Sequence, residues 1–501
     1  MKINNAIVIV FVSLLMACRV NVPQEYTESA DYPQIYPDYI NVTVPVNIAP
    51  LSFEIVQDAE DMLVRYSYSN EEFLCGGMKA QLGIDDWKSL VQHANGMAIK
   101  VEVYVENNGK WTKHQPFNIY VSPDSIDSYL SYRYISLSDD SYEEQSIKQR
   151  CLENYDESVI FNNVLNSTTK KSVQCINCQY YQRYNPERMQ FYACQNNGGL
   201  VIVYDGKMRK INLNNDIVFP AGIYSTWHPW LPLIVYSTNP TLLDFDAIDS
   251  DKIEEFDAVG DLIAFDVEKN EVTNIGKDDE KFGAFPLWAP DGKTLYYCSA
   301  HIEQPDSGNK EDRKKSRTKG VKYNIYKKSF NPDTWQFGPQ EIVFDGTEMN
   351  SSATLPRISP DGCYMLFTMA KSGAYHTLNS DADLWMMDLQ TGEAHAKLAL
   401  NSDDAESCHA WSSNGRWIVF SSSRDNGRFR PFIAHVDRDG KCSRPFELPS
   451  ADADYHRQLT FSYINPEFAK GHVAIKPQQL DDILKTKGEA VKYVPQLHPN
   501  K

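Results

Sequence analysis

Between about Asn41 and Pro123, apolar and polar residues alternate over short runs: "FEIVQ", "MLVRYSYS", "MAIKVEVYVE" and "FNIYVS". A period of two sends successive side chains to opposite faces of a pleated strand, so these runs predict half-buried strands. With turn signals such as "NNGK" between them, residues 41–123 predict a β-sandwich-like domain. Residues 124–184 break the alternation. "DSIDSYLSYRYISLSDDSYEEQSIKQRCLENYDES" is rich in tyrosine with little regular period, and is expected to be a Tyr- and Cys-containing connector.

The second half repeats itself. "FPLWAPDGKTLYYCSA" from Phe285, "LPRISPDGCYMLFTMA" from Leu355 and "CHAWSSNGRWIVFSSS" from Cys408 align directly, and "YSTWHPWLPLIVYSTN" from Tyr224 fits with its turn replaced. Asp-Gly and Asn-Gly supply the positive-φ positions of a tight hairpin, and the bulky run after each turn predicts a buried strand. Each unit continues into a second strand pair, as in "DLIAFDVEKNEV" and "DLWMMDLQTGEA". The turns fall at Asp291, Asp361 and Asn414, against the roughly 40 to 50 residues of a four-stranded propeller blade. The longest gap holds a charged insertion, "EQPDSGNKEDRKKSRTKGVK", expected to be a solvated loop. With partial units at either end, residues 185–501 predict a β-propeller of about six blades, its ring closed by a strand from the far end of the chain. The fold class expected is all-β.

The N-terminus changes the compartment. "MKINNAIVIVFVSLLMA" has one early charge and an apolar run too short to span a bilayer comfortably, so residues 1–17 read as a signal peptide. The sequence Leu15-Met16-Ala17-Cys18 has the form of a lipobox, which makes Cys18 the expected lipidation site and residues 18–40 a lipidated linker. The formal net charge of -18 argues against a nucleic-acid partner. Without Cys18, nine of the ten cysteines remain, so in an oxidising compartment at least one is unpaired. Cys298 and Cys363 lie in strand-like runs and are expected to be small buried core residues.

"WAPDGKTLYYCS" and "WSSNGRWIVFSS" resemble TolB-type propeller repeats. The order of features over almost the whole mature chain resembles a set of TolB-like envelope lipoproteins. These features are the lipobox, "PVNIAPLSFEI", "YLSYRYI", "QRCLENYDES", "CINC" before "NPERMQFY", and a propeller ending in "INPEF". That resemblance implies a docking role for the propeller, expected here toward an envelope protein or glycan. No run of acidic residues follows Cys18 ("RVNVPQEY"), so the lipid anchor is expected at the outer membrane with the body facing the periplasm. Members of the set commonly carry C-x-x-C-H where this chain has "CINCQ".

Two constellations could carry chemistry. In "VQCINCQYY" the thiols of Cys175 and Cys178 stand at haem-attachment spacing, but Gln179 replaces the ligand His, so no haem cofactor is expected. Cys175, Cys178 and Cys194 are candidates for a disulfide or, with a fourth ligand, a metal; a disulfide staple at the domain boundary is the favoured reading. At the propeller mouth, Trp227, His228, Arg357, Asp404, Glu406 and His409 are candidate binding residues. Two histidines and a carboxylate could form a metal or acid–base site, as in a metal-assisted polysaccharide lyase, whereas the same histidines could simply pack between blades. No catalytic residue is assigned. G-x-S-x-G and a phosphate-binding glycine loop are absent from the sequence.

Overall fold

Each Pro-Asp-Gly or Ser-Asn-Gly turn joins the first and second strands of a four-stranded sheet in the computed structural model. The structure describes residues 21–136, 144–166, 176–193, 198–213, 222–238, 241–245, 253–257, 261–276, 281–301, 321–373, 376, 379–397, 399–424 and 427–498. Cys18, Cys175, Cys194, the side chain of Cys178 and most of the charged insertion after His301 lie outside them.

Six antiparallel sheets form a propeller. Their innermost strands are Ile176–Tyr181, Ile223–Trp227, Lys281–Trp288, Ser352–Ile358, Glu406–Trp411 and Phe461–Ala469. Each neighbours the next in that order, and the last neighbours the first, so the ring is closed. Closure is made by Phe461–Ala469, which pairs antiparallel with Tyr129–Ser136 and is followed outward by Gln145–Cys151 and Glu157–Asn162. The expected connector is therefore corrected. Tyr129–Ser136, Gln145–Cys151 and Glu157–Asn162 are three strands of the closing blade, and the propeller begins at Tyr129 rather than at residue 185. Their alternation is faint because Gln145–Cys151 is buried along nearly its whole length, so polar Gln149 and Arg150 are enclosed and hydrogen-bonded.

A sandwich precedes the propeller. Its seven-stranded sheet is built around Ala98–Asn107, and a three-stranded sheet of Ile35–Tyr36, Phe53–Ile55 and Lys79–Ala80 faces it. The helix Ile84–His93 buries Trp87, whose indole N–H donates to the Ile48 carbonyl at 2.9 Å. One apolar core runs from sandwich residues such as Val44 and Phe117 into the propeller at Trp417, Phe446 and Phe468. The Trp417 indole N–H crosses the seam to the Asp124 carbonyl at 3.1 Å.

The C-terminal segment straps the rim. After the helix Pro477–Leu484, Glu489–Ala490 adds a parallel strand to Lys207–Asn212, and Lys492–Tyr493 adds one to Glu271–Asn274. Two outer edges that would otherwise offer unpaired backbone are thus covered. Leu497 ends buried with Phe330 and Trp335 of the next blade. Cys298 is buried as expected, but Cys363 is exposed, because it stands in the turn before Tyr364–Ala370. Among the described residues no helix is long and apolar enough to cross a membrane.

Candidate functional site at the propeller mouth

All six innermost strands carry the same irregularity. In each, two residues face one on the neighbouring strand: 178–179, 224–225, 285–286, 355–356, 408–409 and 465–466. Such a bulge bends the strand and re-aims the side chains after it. Tyr224, Phe285, Leu355, Cys408 and Asn465 take left-handed φ of 49–53° there, a conformation that costs a side-chain-bearing residue on the order of 1 kcal/mol or more. "CINCQYY" is thereby placed. It is an innermost propeller strand, and Cys178-Gln179 occupies the bulge that Asn465-Pro466 and Cys408-His409 occupy elsewhere.

The layers after the bulge build the site. Tyr224, Phe285, Leu355 and Asn465 line a small axial cavity of about 50 Å³ with Gln179. The next layer is a throat shared with the cavity above: Tyr180, Leu287, Arg357 and Glu467. Arg357 donates to Glu467 at 2.5 Å and lies 5.2 Å from the Tyr180 ring centre. Burial pushes the Glu467 carboxyl above its ordinary range, with Arg357 pulling the other way. Burial also raises the phenols of Tyr180 and Tyr184, so the throat holds neutral phenols around one ion pair. Above it opens a mouth cavity of about 380 Å³, walled by Tyr181, Trp227, Trp288, Trp411 and Phe468 at the ends of five innermost strands.

The rim is shaped by a strained turn. Arg183 and Tyr184 are consecutive left-handed residues, at φ 51° and 64°. The turn sets the Arg183 guanidinium 3.7 Å over the ring of Trp230, which is 56% exposed. Gln182 anchors the same loop by donating to the carbonyls of His228 at 2.7 Å and Leu231 at 3.1 Å, on either side of Trp230 in sequence. Lys470 closes the rim, its backbone N–H donating to the Tyr184 carbonyl at 2.9 Å.

Of the six residues expected at the mouth, Trp227 and Arg357 line the cavity. The histidines do not form an acid–base pair. His228 Nδ1 accepts the backbone N–H groups of Trp230 and Leu231 at 3.0 and 2.9 Å, leaving Nε2 to donate to the Gly292 carbonyl at 2.9 Å. Gly292 belongs to a Pro-Asp-Gly turn at φ 62°, and a Cβ there would come within 2.8 Å of the imidazole, so glycine serves both turn and contact. His409 Nε2 donates to the Leu366 carbonyl at 3.0 Å on the neighbouring blade. Burial depresses His228 to about 4 and His409 to about 3, so both are neutral spacers between blades.

Asp404 and Glu406 belong to the other end. Glu406 begins the strand whose last residue, Trp411, reaches the mouth, a separation of roughly 17 Å at about 3.3 Å per residue. Its carboxylate accepts from the hydroxyls of Ser402 and Ser422 at 2.7 Å each and pairs with Arg424 at 3.1 Å. The backbone N–H of Asp404 donates to Ser402 Oγ at 3.2 Å. Among the described residues no group of three or more His, Cys, Asp or Glu side chains is placed to hold a metal ion. The expected grouping of two histidines with a carboxylate is therefore corrected: these residues serve different blade seams and opposite ends of the ring. Sequence reasoning missed Tyr180, Trp288, Trp411 and Glu467, although "QYY", "PLW", "HAW" and "PEF" fall at one register after the bulge.

No family model matches the chain, and no curated protein matches it in sequence. Among solved structures it is similar to TolB from Acinetobacter baumannii, at 12% identity over 77% of this chain and 85% of that one, with a TM-score of 0.41. It is similar also to a putative TolB from Agrobacterium tumefaciens, at 14% identity over 65% of this chain and 89% of that one, TM-score 0.37. A periplasmic gluconolactonase from Pseudomonas aeruginosa is matched at 10% identity over 69% of this chain and 100% of that one, TM-score 0.35. The blade count and ring closure rest on the strand pairing of this chain itself.

Proposed function

We propose that this chain is a binding protein of the cell envelope, held to the outer membrane by lipid on Cys18 and facing the periplasm. Its propeller mouth is the docking site for a protein or glycan partner. The observation that carries this reading is the mouth cavity, about 380 Å³, walled by aromatic side chains from five blades. Cavities of this size with apolar walls and a few convergent polar groups are the usual form of a ligand site. The rival reading, a metal-assisted polysaccharide lyase, lacks support from the described side chains, since His228 and His409 spend their ring N–H groups on backbone carbonyls.

The test is a plug. Ser413 lines the mouth and is bound to Asp127 both through its backbone N–H, at 2.6 Å, and through its side chain. Ser413→Trp should fill the cavity while keeping the backbone bond to Asp127, and thermal melting checks that the variant folds without the side-chain bond. Native protein recovers its partner from envelope extract and the plugged variant does not; equal recovery by both refutes the mouth as the docking site.

A further inference from the structure

The mouth sets cationic side chains at its rim above an aromatic wall, and this bears on what it binds. The chain as a whole carries a formal net charge of -18. The charged residues lining the mouth are Arg183, Arg357, Lys470 and Glu467, three cations against one carboxylate. Arg357 and Glu467 neutralise each other at 2.5 Å. Arg183 and Lys470 remain; among the described residues neither side chain makes a hydrogen bond or a close ion pair, although the Asp127 carboxylate, bound to Ser413 at the mouth, lies near enough to interact with the charge of Lys470.

Trp227 and Trp288 line the cavity, are almost wholly buried, and each keeps an indole N–H with no acceptor among the described residues. Those nitrogens are themselves sealed from solvent, so the two indoles contribute ring surface to the wall rather than donors. Guanidinium and ammonium groups, by contrast, are donors only and are exposed at the rim. Apart from Ser413, the remaining wall is aromatic or apolar, with three tyrosines and with prolines at 229, 290 and 360. It provides few groups for the many hydroxyls of a neutral sugar.

Resting on the mouth as the docking site, we propose that its ligand presents a carboxylate on an apolar or aromatic body of one or two rings. The carboxylate lies at the rim between Arg183 and Lys470. The body enters the aromatic cavity and packs against its ring walls. Arg183 is the specificity-determining residue. Stacking on Trp230 at 3.7 Å leaves the edge of the guanidinium open, and its two parallel N–H groups can pair with both oxygens of a planar carboxylate. The carboxylate end of a protein partner presents this chemistry, and a free aromatic acid is the alternative occupant that the test separates from it.

The experiment is calorimetric titration of the full-length protein with five probes: hydrocinnamate, N-acetyl-Ala-Phe, its C-terminal amide, inorganic phosphate and digalacturonate. At least one of the first two should bind, the dipeptide acid binding better if the source is a chain end and hydrocinnamate if it is a free acid. Amidation should weaken the dipeptide roughly tenfold, the scale of a lost charge-assisted pair. Arg183→Gln and Lys470→Gln should each weaken the acids several-fold without weakening the amide, and affinity should fall with added salt. Arg183→Lys should restore only part of the loss; both positions are at the rim, and thermal melting checks that the variants fold. Equal binding of acid and amide, both abolished by Ser413→Trp, overturns the carboxylate while leaving the mouth as the site. Acid binding that survives Ser413→Trp overturns both readings. Phosphate or digalacturonate binding more tightly than both aromatic acids, or no binding of either acid at millimolar concentration, overturns the inference.

Discussion

Gln179 donates from Nε2 to the backbone carbonyl of Asn465 at 2.7 Å, joining the innermost strand of one blade to the strand that closes the ring 286 residues later. Asn465 is the left-handed residue of its own bulge. The position that breaks a haem-attachment motif is thus occupied by a side chain tying together the two ends of the propeller. Gln179 is buried, so truncating it leaves a carbonyl without its partner. Gln179→Ala should destabilise the protein by about 1–3 kcal/mol, measured as a fall in the urea midpoint, whereas truncating the exposed neighbour Arg183 should cost far less.

The throat pair offers a double-mutant cycle. Removing one partner of a buried ion pair strands the other charge, at a cost of about 3–5 kcal/mol. Arg357→Met should be strongly destabilising near neutral pH, because Glu467 then has to ionise without help or take up a proton. Arg357→Met with Glu467→Gln should recover much of that loss, since no uncompensated charge remains. Urea denaturation of the two single variants and the double variant checks the sign of the coupling.

The buried histidines make stability pH-dependent in a defined window. His228 and His376 are depressed to about 4 and His409 to about 3, against about 6.5 in an unfolded chain. Above pH 6.5 all three are neutral in both states and contribute no pH dependence. As pH falls below that value the unfolded chain takes up protons that the folded chain refuses, so stability drops until the folded pKa is reached. Each histidine accounts for on the order of 3 kcal/mol over that range. His409→Gln should flatten the decline of the urea midpoint between pH 6.5 and 4, whatever it does to stability at pH 7.

The rim strap should be separable from the ring. Deleting residues 489–498 removes the two-residue strands beside Lys207–Asn212 and Glu271–Asn274 together with Leu497. Hydrogen exchange should rise at those two outer strands and at Trp335. It should stay unchanged in Arg430–His435 on the far side, which pairs with Phe446–Glu447 instead.

Turn chemistry is local, and the repeated blades were legible for that reason. Asp291-Gly292, Asp361-Gly362 and Asn414-Gly415 announce a hairpin from four residues alone, and each glycine has positive φ. The closing blade was hidden because its partner strand is remote: Tyr129 pairs with Ala469. No window on the sequence sees that pairing, and strands enclosed on both faces lose the alternation that marks them. The same blindness affected the site. Arg357 was legible at the mouth, but its counter-ion Glu467 comes from the closing strand 110 residues later. His228 and His409 suggested catalysis because sequence shows residue type without partners. Three-dimensional placement gives each of them a backbone carbonyl instead.

The central claim is that the mouth end of the propeller is the binding face. Site-specific photocrosslinking in the envelope tests it most directly. A benzophenone side chain placed at Ser413 lines the mouth, and one placed at exposed Asp403 stands near the opposite end of the same blade. A discrete crosslinked partner from position 413 that is absent from position 403 is the expected result. The same partner captured from both positions, or from position 403 alone, would contradict the account.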